Sequence, residues 1–286
     1  MLVDTHCHLD APEFAGEALL QRRQALAAGV GLIVVPAVEA GNFAAVRALA
    51  AAEDEAGPGA GSGSGARCVY ALGIHPMYVD RARDEDLDLL RQALIAAADD
   101  PALVAVGEIG LDGFVPGLDA DRQERFLAAQ LRLAREFDLP VILHVRRAQD
   151  RVLKHLRRCR PSGGIAHAFN GSHQQAGAFL DLGLALGFGG AMTFARALQI
   201  RRLVSELPAH AHVLETDSPD IAPAWRHPGR NDPAQLAGIA EVFAQLRGLS
   251  VERASAVATA NAVRVLPRLA AWVRWAGHTP GGEPSA

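Results

Sequence analysis

Val104-Ala-Val-Gly-Glu108, Val141-Ile-Leu-His144, Gly164-Ile-Ala-His167 and Val213-Leu-Glu-Thr-Asp217 share one layout: a short apolar run that ends on an imidazole or a carboxylate. Runs without polar alternation are the pattern of strands buried on both faces, as in a parallel sheet covered by helices. Outward from these four, similar runs at 2–5, 31–36, 69–73 and 185–188 complete a set of eight strands, the first four being 103–107, 141–144, 164–167 and 213–216. Longer amphipathic stretches lie between them, for example 17–28, 84–99, 123–136 and 174–182. In 123–136, Phe126, Leu127, Leu131 and Leu133 stand among charges, which gives the helix one buried side. A further helix, 251–266, follows the eighth unit. Eight βα units in a chain of this length predict an α/β fold, a single-domain (β/α)8 TIM barrel. An open doubly wound sheet is the rival that periodicity leaves standing. The barrel domain is expected over 1–268, with a flexible insertion at 57–65 and a C-terminal tail at 269–286.

In a barrel the C-terminal strand ends converge on one mouth, where active sites are built. The first strand runs into His6-Cys7-His8. Residues two apart on a strand point to one side, about 7 Å apart along the chain, so both histidines can reach one metal. Cys7 then faces the other way and reads as a buried structural thiol. With Glu108, His144, His167 and Asp217 at other strand ends, the mouth gathers six nitrogen and oxygen ligands without a thiolate. That set suits Zn, Mn or Mg-type ions. It is too large for one tetrahedral catalytic ion with an open position, and suits two ions about 3.5–4 Å apart that share a bridging group. Glu108 is the natural bridge, because a carboxylate offers two acceptor oxygens. Lys154, the only lysine, sits inside a helical stretch, which rules out a carbamylated lysine in that place. The segment Gly57-Pro-Gly-Ala-Gly-Ser-Gly-Ser-Gly65 lacks the Lys-Ser/Thr ending of a phosphate-binding loop and reads as a tolerated linker insertion.

Composition narrows the class. The 286 residues are 50% hydrophobic and 21% charged, a globular balance with enough apolar material for a large core. No apolar run has the length of a membrane helix, and the N-terminus lacks the basic-then-apolar layout of a signal peptide. Cys7, Cys68 and Cys159 are odd in number and widely spaced, so a disulfide framework is not expected and a reducing, cytoplasmic setting is. A net charge of −4 argues against coating nucleic acid through bulk charge, but permits an enzyme that grips a few phosphates. No obligate protein partner is evident.

Together these residues resemble the TatD family of metal-dependent hydrolases. The matching stretches are Asp4-Thr-His-Cys-His-Leu-Asp10, Gly73-Ile-His-Pro76, Gly107-Glu-Ile-Gly-Leu-Asp112, Leu139-Pro-Val-Ile-Leu-His-Val-Arg146, His167-Ala-Phe-Asn-Gly171 and Leu214-Glu-Thr-Asp-Ser-Pro219. They fall in the family's order from residue 3 to about 265. Gly187-Phe-Gly-Gly-Ala-Met-Thr193 and the Pro219-Asp220 continuation look most like a YjjV-type branch. The resemblance implies a TIM barrel with two, sometimes three, divalent ions and phosphodiester hydrolysis, typically deoxyribonuclease action from the 3′ end by metal-activated water. It implies His6, His8, Glu108, His144, His167 and Asp217 as metal ligands, His75 and Arg146 on the substrate side, and Glu215 as support. Asp217 is then the residue to accept the proton of the attacking water. It shares strand parity with Glu215, whose expected role is to orient it. Arg146 shares parity with His144 and can grip phosphate with a two-bond fork. Asp4 and Asp10 are expected to order the His6–His8 segment. Departures lie at Phe114, where many members carry tyrosine close after the aspartate, at Asn170, where serine is common, and at Ala262, where threonine is usual. Nucleic acid or a small phosphoester is the substrate so implied. The alternatives are a binuclear hydrolase of an ester, lactone or cyclic amide, and a non-catalytic binding protein on the same barrel. A complete ligand set argues against the last, and Glu108 with Arg146 favours phosphate.

Overall fold

The structure is a computed structural model that describes residues 1–52 and 65–276. Residues 57–64 of the expected insertion and 277–286 of the expected tail lie outside the described residues. Eight strands form one sheet in the order of the chain, every neighbouring pair parallel: β1 (Leu2–Asp4), β2 (Val30–Pro36), β3 (Arg67–Leu72), β4 (Leu103–Asp112), β5 (Val141–Arg146), β6 (Gly164–Ala166), β7 (Leu184–Phe188) and β8 (His212–Leu214). Thr5 N–H donates to the Leu214 carbonyl, His8 N–H donates to that of Ser218, and Cys7 forms a bridge with Ser218. These bonds join the last strand to the first, and the sheet is a barrel. The open-sheet rival is thereby excluded.

Helices α1 (Ala18–Ala27), α2 (Phe43–Ala51), α3 (Asp86–Ala96), α4 (Ala120–Glu136), α5 (Gln149–Arg158), α6 (His173–Asp181), α7 (Leu198–Glu206) and α8 (Leu236–Arg247) follow the strands in turn. Strands such as β2, buried along its whole length, have helices outside and barrel core inside, which is why Val, Ile and Leu run in it without alternation. The sequence patterns that predict helices match closely where caps mark the ends. Asp119 accepts from Arg122 N–H at the start of α4, and Ser250 accepts from Arg253 N–H at the start of α9 (Val251–Val265). The expected tail differs from the structure in one respect. Residues from 269 first form α10 (Leu269–Ala276), in which Leu269 is fully buried and Trp272 donates to the Pro101 carbonyl. Packing of these apolar side chains carries the chain past 268 before the described residues end. Lys154 lies on α5, exposed, away from the mouth. No helix among the described residues is long and apolar enough to cross a membrane.

Candidate metal centre

The six expected ligands meet at the C-terminal end of the barrel, though three reach it differently from expectation. Strand β4 does not end at Glu108 but runs on to Asp112, so Glu108 lies within it. His144 likewise lies inside β5, which extends to Arg146. Strand β8 stops at Leu214, and Asp217 sits beyond it in the left-handed region with φ 56°. Strand parity therefore does not relate Asp217 to Glu215. Asp217 is held instead by its own N–H, which donates to the His6 carbonyl. His6 and His8 follow β1 and keep the expected common side, with Nε2 atoms 3.1 Å apart. Cys7, fully buried, faces the core, and burial pushes its thiol well above the ordinary range, so it supplies no thiolate. Asp4 orders this segment as expected: it accepts from the N–H of His6 and from the N–H and hydroxyl of Thr216. Asp10 accepts from Asn42 Nδ2.

Glu108 divides its surroundings into two groups. Its Oε2 faces His6 Nε2 at 3.1 Å and His8 Nε2 at 3.4 Å. Its Oε1 faces His167 Nε2 at 2.8 Å, His144 Nδ1 at 3.0 Å and His75 Nε2 at 3.2 Å. Asp217 Oδ1 joins the first group, 3.5 Å from His6 Nε2 and 3.7 Å from His8 Nε2. Although ring nitrogens crowd it, Glu108 Oε2 is buried without a well-formed hydrogen bond. A buried carboxylate oxygen that lacks a hydrogen bond while imidazole nitrogens stand about 3 Å away is the arrangement of ligands around a cation, and the residues present fit divalent ions. The groups His6–His8–Asp217 and His6–Glu108–His167 each bring their ligand atoms within 4.8 Å of one another, as does His75–Glu108–His144.

Neighbouring residues fix these rings in ways the sequence did not disclose. Asp112 Oδ2 lies 2.9 Å from His144 Nε2, which leaves Nδ1 to point at Glu108. Such a carboxylate–imidazole pair orients a ligand and raises its basicity. Asp112 is held in turn by Gln123 of α4, which accepts from its N–H and donates to its carbonyl. Gln130, two turns along the same helix, holds Ile74 in the same two-bond manner and so braces the loop that carries His75. Only the interruption of the apolar side of α4 by the two glutamines shows in the sequence; that both are 1% exposed and bonded to the loops is supplied by the fold. His75 Nδ1 accepts from Met77 N–H, so the neutral ring carries its proton on Nε2, toward the pocket. That tautomer makes His75 a donor, in keeping with the substrate side. Glu215 Oε1 lies 3.9 Å from His167 Nδ1 and accepts from Ala168 N–H. It fills space that Gly187 leaves open, since a Cβ there would meet its Oε2 at 2.1 Å. Arg146 is exposed at the rim, with its guanidinium carbon 3.8 Å from the centre of the Phe114 ring.

The charge balance is governed by Glu108 and the imidazoles around it. Burial opposes ionisation of Glu108, but the charges of His75, His167 and His6 and the His144 hydrogen bond outweigh it and hold the carboxyl well below its usual range. Burial also opposes protonation of His8 and His167. Glu108, helped by Asp217, overrides it and pushes them up to about 9 and about 10. Burial keeps His6 and His75 down, the latter to about 4. A cation held there would compete with protons for these imidazoles.

The mouth opens into a cavity of about 1500 Å³ lined by His8, His75, His144, His167, Asp217 and Arg146 among others. Comparison with known proteins agrees with this geometry. Residues 3–267 match the family model described as TatD related DNase. The metal-dependent hydrolase YjjV of Escherichia coli K12 is 42% identical over 248 residues, which cover 86% of this chain and 90% of that protein. The 3′-5′ ssDNA/RNA exonuclease TatD of a Pantoea species is 36% identical over 211 residues, 71% of this chain and 79% of that one. The crystal structure of the Escherichia coli YjjV protein superposes with a TM-score of 0.84 at 38% identity and covers 93% of this chain and 98% of that chain.

Proposed function

The chain belongs to the TatD-related DNase family of metal-dependent hydrolases acting on ester bonds, and from that premise we propose that it cleaves phosphodiester bonds of single-stranded nucleic acid, from the 3′ end, with two divalent cations that His6, His8, Glu108, His144, His167 and Asp217 would hold. The observation that carries this reading is the division of Glu108: one oxygen toward His6 and His8, the other toward His144 and His167. Asp217 completes the first set, and ions held by these residues would supply positive charge to the phosphate oxygens and Lewis acidity to the attacking water. Asp217 is 13% exposed where Glu108 is 1% exposed, so it is the carboxylate that solvent reaches. It accepts the proton of the attacking water. His75 donates from Nε2 to a phosphate or leaving oxygen, a role its Met77 bond prepares. Arg146, laid flat on Phe114 at the rim, offers its fork to a non-bridging oxygen. Asp112 holds His144 in place through its Oδ2, and Glu215 faces His167 across 3.9 Å.

Hydrolysis rates on single-stranded DNA, RNA and bis(p-nitrophenyl) phosphate, each with Mg, Mn and Zn, test the reading. Turnover of the diesters with at least one ion, and none after chelation, is the expected result. Failure on every diester with turnover of a lactone or cyclic amide instead would replace it.

A further inference from the structure

A second hollow of about 850 Å³ adjoins the metal pocket, and the two share Ala191, Ile200, Asp220 and Ile221 as a common wall. Its surface differs from that of the metal pocket. Phe194 is half-buried, with the His227 ring edge-on at 5.6 Å and the Arg196 guanidinium 5.6 Å from its centre. Arg230 also lines the hollow, but it is engaged by Glu17 and by the Glu13 carbonyl. Arg196 has no carboxylate partner among the described contacts and is exposed. Glu13 and Asp220 are the acidic residues of the hollow, and both also line the metal pocket. The platform is braced. Thr193 Oγ1 donates to the Gly190 carbonyl and accepts from Ala224 N–H. The backbone at Gly190 approaches Ile221 so closely that a Cβ would meet its carbonyl oxygen at 2.0 Å.

We propose that this hollow holds a nucleotide on the 5′ side of the scissile phosphodiester, one beyond the nucleotide that flanks it, with its base stacked on Phe194 and its phosphate on Arg196. The proposal rests on the phosphodiester reading above and names what selects the substrate. An aromatic face beside an unpaired arginine is a sequence-tolerant site for an unstacked base and its backbone. A duplex keeps its bases stacked on one another and cannot lend one to the hollow, so the platform favours single strands. Continuity with the metal pocket places it on the path of a strand whose 3′ end lies at the metals.

The test compares a thymidine decamer, a thymidine dinucleotide and bis(p-nitrophenyl) phosphate as substrates of the wild type, Phe194→Leu and Arg196→Ala. The wild type should cleave the decamer with kcat/KM at least about tenfold above the dinucleotide, and each variant should lose most of that advantage through KM. Turnover of bis(p-nitrophenyl) phosphate should not change. Variants that keep the length advantage, or that lose the small diester equally, overturn the proposal while leaving the hydrolase reading in place. Failure of the wild type on all three diesters defeats the phosphodiester reading instead. The platform then answers to a second measurement, fluorescence anisotropy of the labelled decamer with Asp217→Asn protein. Binding that weakens about tenfold with Phe194→Leu or Arg196→Ala supports it, and binding indifferent to both overturns it.

Discussion

His212 opens β8 at the closed end of the barrel, and Asp217 follows at the open end among His6, His8 and His167. All four histidines are largely or wholly buried, yet His8 and His167 shift in the opposite direction to His212 and His6. The His212 ring packs between Phe188 and Phe243, with centroids 5.3 Å from each. Burial, with the Arg247 guanidinium nearby, lowers it to about 4. At the mouth, burial is as strong, but Glu108 and Asp217 override it at His8 and His167. Burial alone keeps His212 neutral, whereas beside the buried carboxylates the balance differs ring by ring: His6 is still held down, and His8 and His167 are pushed up. Residue type cannot distinguish the two ends; the partner carboxylates do.

The largest effect that sharpens this contrast is expected at Asp217. Asp217→Asn should reduce single-turnover rates by at least a hundredfold while an oligonucleotide still binds, whereas Glu215→Gln should be much milder. A variant that keeps more than about a tenth of the wild-type rate has lost under roughly 1.4 kcal/mol of barrier, too little for the general base. Next comes the closed end. An unfolded histidine takes its proton near 6.5, whereas folded His212 resists protonation down to about 4. The unfolded state thus binds more protons in that window. The stability that depends on the neutral ring is complete above about pH 6.5 and is lost as the pH falls toward 4, by up to about 3 kcal/mol. His212→Leu should remove this component. Urea midpoints of both proteins from pH 8 to pH 4 measure it, and parallel curves would place the acid sensitivity elsewhere. Asp112→Asn exchanges the partner of His144 Nε2 for a weaker acceptor and should lower metal affinity by about 10–100-fold with little change in melting temperature. Isothermal titration with Mn or Zn gives the affinity, and an unchanged value would make Asp112 a loop residue only. Arg146→Lys keeps the charge but not the planar fork, and should cost about tenfold on diesters with metal content unaltered. Equal rates would return Arg146 to a role in packing on Phe114.

Much of the architecture was legible because a buried parallel strand leaves a direct trace, an apolar run, and a barrel turns the ends of eight such runs toward one place. The same regularity located His6, His8, Glu108, His144, His167 and Asp217. Strand ends were less legible. The extension of β4 to Asp112 depends on its pairing with β5, where Gly110 meets His144 and Asp112 meets Arg146, and no local pattern records that register. The early stop of β8 at Leu214 reflects Thr216 bonding to Asp4 across the barrel seam, a contact between the two ends of the chain. Asp112, Gln123 and Gln130 act through hydrogen bonds to neighbours that only the fold supplies. The Phe194–His227 platform joins two loops in the same way.

The claim on which the metal centre depends is that Glu108 joins two cations. Glu108→Gln preserves shape and hydrogen-bonding reach but removes the charge shared between the His6–His8 and His144–His167 groups. Metal content per chain, measured by inductively coupled plasma mass spectrometry after desalting of the Mn- or Zn-loaded protein, tests this directly. About two ions are expected in the wild type and one or fewer in Glu108→Gln, with the circular dichroism of the barrel unchanged. Two ions per chain in the variant, with normal turnover, would contradict it.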